Sequence, residues 1–375
     1  MMSDRSEKVR KDMLKQKKMI TYGSDFAGLS TMGIALHKLQ DKSGCSGIQL
    51  CHKFASDKKR ASKKFIEVKD PAEQWDSDIL KRDIDNLKET VKPGTLSLYS
   101  FTSPCQGLSL AGLMRGLEDD RTKLFLSGLE VISELTPKAF VSENVSTLAR
   151  VGRFKPILAY AIKKLQTSGG AGYNVRFKII NTNHFLPQNR ERIYIVGIRK
   201  DVQRTKTKGV DVFPAEFPSS QVPIKKLVKP LSDSLWKPHP PKSQHLEYNN
   251  VIRAYKESGM NPFIEPLIID FKASESFMSW RHAEAPTITH TRASQFGYWS
   301  SLKGGPLSID DMAALQGFSV TDLHTEPKIK DRALAGMLGN AQSLPVLMWL
   351  LPNVLWNAQL ITWDEYLAMK DVKIV

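Results

Sequence analysis

Cysteine is scarce: Cys45, Cys51 and Cys105 are the only three in 375 residues. Three thiols cannot build a disulfide framework. Cys45 and Cys51 lie close together but no second pair follows, so the spacing of a metal site is missing and no metal is expected. Free thiols fit a reducing compartment. Long apolar runs are also lacking. The most apolar stretch, Leu344–Trp356, is interrupted by Pro345 and Pro352 and is too short to span a bilayer. The first eighteen residues have no apolar centre, which argues against a secretory signal. An intracellular protein with no membrane partner is expected, cytoplasmic if bacterial or phage-borne and nuclear if eukaryotic. Acidic residues are the minority, 39 against 54 Lys and Arg, for a net charge of +15. With 41% hydrophobic and 25% charged residues the chain is globular rather than disordered. The positive excess points to a polyanion, either nucleic acid or an acidic membrane face.

What is present has an order. A basic arm occupies 1–18. From Met19, short apolar strands alternate with helical stretches: strands at Met19–Tyr22, Ile48–Phe54, Leu96–Phe101, Ala139–Ser142, Val175–Asn181 and Ile193–Ile198, with helices between most of them. That alternation predicts βαβ units and a mostly parallel, Rossmann-like α/β sheet. After Lys200 the texture becomes rich in Lys, Pro, Ser and Thr, and eight basic residues fall between Arg199 and Lys229. The expected division is a catalytic and cofactor-binding domain at 19–200, a smaller irregular domain at 201–332, and a segment at 333–375 returning to the first. Ser308 and Asp311 are spaced as a capping box opening a helix.

Three turns carry candidate chemistry. Asp25-Phe26-Ala27-Gly28-Leu29-Ser30 joins the first strand to a helix, where a glycine turn lets the backbone approach a ligand. Asp57 ends the second strand, a usual place for a carboxylate that accepts ribose hydroxyls, and Asp78-Ile79 follows. The full dinucleotide fingerprint is absent, so a mononucleoside-like cofactor such as S-adenosylmethionine fits better. A purely structural glycine turn is the alternative. Ser103-Pro104-Cys105-Gln106-Gly107 puts a thiol on a turn at a strand's carboxyl end, where ligands bind in such sheets. Cysteine is the strongest side-chain nucleophile near neutral pH, although a lone one is more often a buried small hydrophobe. Glu143-Asn144-Val145 follows another apolar strand, and a sheltered carboxyl there suits a general acid or a helix cap. In Gln188-Asn189-Arg190-Glu191-Arg192, alternation sets the two arginines on one face, suited to phosphate or a base carbonyl, or else to a surface cluster paired through Glu191.

These residues, in this order, resemble the cytosine-C5 DNA methyltransferase family. The resemblance rests on Asp25–Gly28, Pro104-Cys105-Gln106, Asp120–Phe125, Glu143-Asn144-Val145, Gln188 with Arg190 and Arg192, Leu307–Phe318, and Gly339-Asn340-Ala341. It covers about 19–200 and 286–350. Ser30-Thr31 stand where the family has paired glycines. Asp57 replaces the commoner Glu, and Lys59 stands where a second acid is usual. Gly305, Asp310 and Ala314 replace arginines that hold the family's recognition region.

The resemblance implies a DNA (cytosine-5-)-methyltransferase that takes its methyl from S-adenosylmethionine and acts on a base flipped out of double-stranded DNA. It implies that Cys105 adds to cytosine C6, Glu143 serves N3 and the exocyclic amine, Arg192 holds O2, and Arg190 positions the loop and nearby phosphate. Phe26, Ala27, Gly28, Leu29, Asp57, Asp78, Ile79, Pro104 and Asn340 would line the cofactor site. Gln106, Arg121, Asn144 and Gln188 would serve the substrate. Ser109–Arg121 would close over the site, and 201–285 would read the duplex from the major groove. A monomer, and a restriction-modification setting, are expected. A tRNA cytosine methyltransferase and a non-catalytic nucleic-acid-binding relative are the competing readings.

Overall fold

The computed structural model describes residues 18–104, 120–205, 208–218, 222–229, 245–262, 264–271 and 279–374. Cys105, Gln106, most of the expected closing loop, the arm up to residue 17 and the side chain of Arg121 lie outside the described residues.

The first lobe runs β1 (Lys18–Asp25), α1 (Thr31–Ser43), β2 (Ile48–Ser56), α2 (Arg60–Lys69), β3 (Gln74–Asp76), α3 (Ile84–Thr90), β4 (Leu98–Phe101), α4 (Asp120–Leu135), β5 (Ala139–Val145), α5 (Lys155–Thr167), β6 (Tyr173–Asn181) and β7 (Glu191–Arg199). Its seven-stranded sheet has the order β3-β2-β1-β4-β5-β7-β6. The first five strands pair in parallel, and β7 pairs antiparallel with both neighbours. Strands buried at every position, such as Leu98–Phe101, are what a sheet covered on both faces requires. From β1 the chain winds one way to β2 and β3, then the other way to β4 and β5. The strand order therefore reverses between β1 and β4, and ligands bind at the carboxyl ends of strands beside such a reversal. Asp25, Ser56, Asp76 and Phe101 end those strands, so Phe26, Asp57, Asp78 and Pro104 emerge along one rim.

Most expected strand boundaries shift by a few residues, and two of the shifts bear on the site. β5 extends to Val145, which places Glu143 inside the strand, and β7 begins at Glu191, which places Arg192 inside and Arg190 just before. Polar residues are tolerated there because they face the site rather than the apolar layers.

The second lobe, expected to be smaller and irregular, carries short regular elements. It holds α6 (His245–Glu257) and an antiparallel sheet of β8 (Leu267–Asp270), β9 (Ser279–His282), β10 (Tyr298–Ser300) and β11 (Gly305–Pro306), in the order β11-β10-β8-β9. Tyr248, Val251, Tyr255, Leu267, Ile269 and Trp299 form its core. These strands are two to four residues long, too short for alternation to announce them. α7 (His290–Ser294) lies between β9 and β10. α8 (Ile309–Gln316) opens with the Ser308–Asp311 capping box, and Asp311 also takes the buried Lys303 ammonium.

α9 (Asp331–Asn340), α10 (Leu344–Asn357) and α11 (Trp363–Lys370) complete the chain. α10 is buried along its whole length and packs on α1. Pro345 sits in its first turn, where a missing N–H costs nothing. No single helix among the described residues is long and apolar enough to cross a membrane.

Candidate active site

The β1–α1 turn is built on an unusual backbone. Phe26, Gly28 and Ser30 have φ of +54°, +52° and +46°. Glycine adopts this region freely, but a non-glycine residue there costs on the order of 1 kcal/mol and needs support. Phe26 is supported through its carbonyl, which accepts Thr102 Oγ1 at 3.2 Å. Gly28 N–H donates to Asp57 Oδ2 at 3.1 Å, while Asp57 Oδ1 accepts Lys59 N–H at 2.8 Å. Ser30 donates its hydroxyl to Asp70, which also accepts Tyr22 Oη and lies 3.0 Å from His52 Nδ1. Burial opposes ionisation of Asp70, but hydrogen bonds from His37, His52 and Ser30 hold its carboxyl well below the usual range. This chain therefore replaces a glycine with a serine whose side chain is tied down from below. Gly33 keeps the cluster close, because a Cβ there would overlap Asp70.

A second buried network fixes the strand ends relative to one another. Arg82 donates from Nη1 at 2.9 Å and Nη2 at 2.5 Å to the two oxygens of Asp25, and from Nε at 2.7 Å to Asp76. Asp25 also accepts Ser56 Oγ at 2.7 Å and Tyr99 Oη at 2.6 Å. Burial works against the Arg82 charge, yet Asp25 more than offsets it and holds the guanidinium protonated. The two Arg82 ion pairs and the hydrogen bonds of Ser56 and Tyr99 to Asp25 thus tie together β1, β2, β3 and β4, the four strands that deliver Phe26, Asp57, Asp78 and Pro104.

These residues open onto one cavity of about 630 Å³. Phe26, Ala27, Gly28 and Leu29 line one side, and Asp57, Asp78 and Ile79 another. Pro104, Glu143, Asn144, Arg190, Arg192 and Asn340 also line it. Asp78 caps the turn after it through Leu80 N–H and pairs with Lys58 Nζ at 3.2 Å. A cavity of this size suits a nucleoside-sized ligand, and two carboxylates beside the aromatic Phe26 suit ribose hydroxyls and an adenine amine.

Glu143 dominates the far end. It is 6% exposed, and Oε1 makes no hydrogen bond. Arg192 Nε lies 3.2 Å from that oxygen, close enough for charge pairing but off the line of a hydrogen bond, while Arg192 Nη1 donates to Glu191 O. Burial pushes the Glu143 carboxyl up, and Arg192 and Arg190 pull back without cancelling it. A buried polar atom left unpaired is costly, so Oε1 is poised for a ligand donor or to carry a proton. Asn144 Nδ2 donates to Ser103 O at 3.2 Å and so anchors the turn that leads through Pro104 to Cys105.

Arg190 and Gln188 both reach backbone carbonyls far along the chain. Arg190 is 2% exposed, and its guanidinium donates to Ile288 O at 2.7 Å, Gly339 O at 3.3 Å and Ala341 O at 2.8 Å. Burial, with help from Arg192, pushes its pKa down to about 10. It lines the cavity and donates from Nη1 and Nη2 to backbone carbonyls, while its buried Nε has no hydrogen-bond partner. The surface pairing through Glu191 is also absent, since Glu191 binds Arg150 at 2.5 Å. Gln188 is fully buried and donates to Leu315 O at 2.7 Å. It accepts Ile288 N–H and is not among the cavity-lining residues, so a direct substrate contact is replaced by a strut between lobes. Alternation along the sequence cannot reveal either role, because the carbonyls lie about 100 to 150 positions away. Arg190→Met is expected to lower the unfolding free energy by roughly 3 kcal/mol or more, by orphaning three buried carbonyls. Thermal unfolding would read this as a fall in Tm of roughly 6 °C or more.

Sequence reasoning missed Thr289, His290 and Thr291, which reach the cavity from the second lobe, as well as Ser62 and Gln342. Gly336 and Gly339 make that approach possible, since a Cβ on either would overlap His290 or the Thr289 carbonyl. Arg82 was also missed, for want of any local pattern. Lys59 had a signal, as a base where an acid was expected.

The fold and site define a class: an α/β protein with a nucleoside-type cofactor cavity at its sheet reversal and an ion-paired buried acid beside it. Comparison with known proteins gives the family. The model for C-5 cytosine-specific DNA methylase matches residues 25–354, and the chain belongs to that family. The orphan methyltransferase M.SPRI of Bacillus phage SPR is 35% identical over 162 residues, 42% of this chain and 34% of that protein. The type II methyltransferase M.NgoBI of Neisseria gonorrhoeae is 44% identical over 102 residues, 26% of this chain and 30% of that protein. The chain thus spans about a third of the length of these curated relatives. The solved structure of the Entamoeba histolytica methyltransferase EhMeth superposes with a TM-score of 0.57 at 14% identity, covering 90% of this chain and 98% of that one, which shows a shared fold. The family uses S-adenosylmethionine as methyl donor.

Proposed function

We propose that the protein methylates C5 of cytosine in double-stranded DNA, using S-adenosylmethionine and a covalent bond between Cys105 and C6 of a flipped-out base. The observation that carries the reading is Glu143: a buried carboxyl with an unbonded oxygen, charge-paired to Arg192, in the same cavity as Asp57 and Asp78 and beside the turn leading to Cys105.

The residues fit the cofactor. Phe26 would pack on adenine, Asp78 would accept its amine, and Asp57 would bind the ribose. When bound, S-adenosylmethionine supplies an electrophilic methyl on a sulfonium. The protein's part is to make C5 accept it. The Cys105 thiolate adds to C6 while Glu143 gives a proton or a hydrogen bond to N3, so the charge of addition does not build up on the ring. C5 would then have enamine character and take the methyl as its bond to sulfur breaks, the electron pair staying on sulfur as a neutral thioether. Loss of the C5 proton and departure of the thiolate from C6 restore the aromatic ring and the free enzyme. Arg192 would hold O2. Extruding the base costs a few kcal/mol, which phosphate contacts from the basic surface would help offset.

Two measurements test the substrate. Labelled methyl should pass to duplex DNA and not to tRNA, and transfer to tRNA alone would overturn the DNA reading. Affinity for duplex should fall roughly a thousandfold between 50 and 200 mM salt, as for a protein neutralising about six phosphates. A flat salt response would remove the assigned role of the +15 charge.

A further inference from the structure

We propose that Tyr194 is a positioning residue for the buried acid: its hydroxyl and that of Ser343 hold one ordered water against Glu143 Oε1. The proposal rests on the methyltransferase reading and gives a task to groups which that reading leaves unused.

The sign is a concentration of unmet polar atoms. Among the described residues, seven buried side-chain nitrogen or oxygen atoms have no hydrogen-bond partner, and five of them belong to Glu143, Arg190, Tyr194, Gln342 and Ser343. The fold gathers these five. Glu143 of β5 stands opposite Tyr194 of β7 in the antiparallel ladder, and directly opposed residues extend their side chains from the same face. Arg190 Nη2 donates to Ala341 O at 2.8 Å, and Gln342 and Ser343 follow directly. Ser343 is the N-cap of α10, yet its side chain caps nothing. Its backbone N–H acts on Tyr194 Oη instead. Tyr194 and Ser343 are each 1% exposed.

A buried tyrosine hydroxyl ordinarily finds a partner, and leaving it without one is costly. Burial and the nearby Glu143 push the Tyr194 phenol far above its ordinary range, so it stays a neutral O–H. A sealed group of donors and acceptors is the usual seat of a water making about three hydrogen bonds. Here the donors and acceptors match. The water accepts from Tyr194 Oη and Arg190 Nε, and donates to Glu143 Oε1 and Ser343 Oγ. The two oxygens of a carboxylate offer about four acceptor positions, so this water leaves room for the base. Its bond to Oε1 favours the ionised carboxyl and so opposes burial. The charges acting on Glu143 are Arg192 and Arg190, and Tyr298 of the second lobe faces Arg190. Asp57, Asp78, Lys58, Lys59 and His290 line the same cavity. Tyr194→Phe leaves all of these in place and removes the hydroxyl alone.

Infrared titration of the full chain reads the carboxyl stretch of Glu143, isolated as the difference from Glu143→Gln. In Tyr194→Phe its midpoint should rise by roughly half a unit to one unit, the worth of one net hydrogen bond. The alkaline limb of turnover should move up by the same amount, with the Kd for S-adenosylmethionine unchanged. Ser343→Ala should shift the midpoint in the same direction. The double variant should shift it no further than the larger single change, as for two groups acting through one water. An unmoved or lowered midpoint in Tyr194→Phe that still binds the cofactor makes the hydroxyl a packing group and overturns the proposal. Fully additive shifts overturn the shared water. If Tyr194→Phe loses cofactor binding, its fold is damaged, and an unmoved midpoint in Ser343→Ala then overturns the proposal. A wild type that passes no methyl to duplex overturns the methyltransferase reading, while the infrared midpoints still decide the water.

Discussion

Methyl transfer by Cys105→Ala should fall to background, a loss of roughly 10⁴-fold or more, as when the nucleophile of a covalent mechanism is removed. The size follows from the chemistry of the base. Cytosine C5 is a weak nucleophile, and only addition at C6 gives it enamine character, so no slower route of comparable rate remains. Binding should survive, because the cofactor cavity is built by the Asp25–Arg82 network and the Asp57 turn, which do not involve Cys105. The variant should keep its affinity for S-adenosylmethionine and for duplex DNA. A duplex carrying 5-fluorocytosine separates chemistry from binding. Wild type should form a complex that survives denaturation, since fluorine cannot leave C5 as a proton does. Cys105→Ala should form none. Unchanged methylation by Cys105→Ala would end the covalent reading, whatever the fold.

The sequence made one half of this site readable. Phe26, Asp57 and Pro104 follow strands that the apolar pattern announces, and the rule that ligands bind at strand ends beside a reversal of order groups them before any coordinates exist, whereas Asp78 follows the short strand Gln74–Asp76, which has no apolar run. One cavity is lined by these four residues together with Glu143 and Arg192. What remained hidden depends on contacts with no local period. Arg82 pairs with Asp25 across 57 positions, Arg190 with Ala341 across 151, and Lys59 with His290 across 231. The second lobe's sheet was hidden for another reason. Its strands are too brief for a pattern, and they hold together through Tyr255, Ile269 and Trp299 rather than through propensity. Ser30 shows the limit of reading a departure from a family pattern. The sequence shows only that a serine stands where the family has glycine; its hydroxyl and Asp70 supply the support that its φ of +46° demands.

Glu143→Gln should lower turnover by about 10² to 10⁴, the usual worth of a positioned acid, with little change in the Kd for either ligand. The glutamine keeps the shape and can still offer a hydrogen bond, but it cannot deliver a proton to N3. The pH profile gives a sharper reading than the rate alone. Burial raises the Glu143 carboxyl above its ordinary range, so the wild-type enzyme keeps its acid protonated to a higher pH than a surface glutamate would. Activity that depends on this proton should decline as pH rises through the folded-state pKa, and Glu143→Gln should lack that limb. Stability carries the same signature. A carboxyl whose folded pKa is raised binds more protons folded than unfolded between its two pKa values, so its contribution to stability falls as pH rises across that window. Removing the titrating group should flatten the corresponding part of the stability curve, measured by denaturant unfolding at a series of pH values. If the glutamine variant keeps both the wild-type rate and the wild-type pH limb, Glu143 is a structural partner of Arg192 and the proton comes from elsewhere.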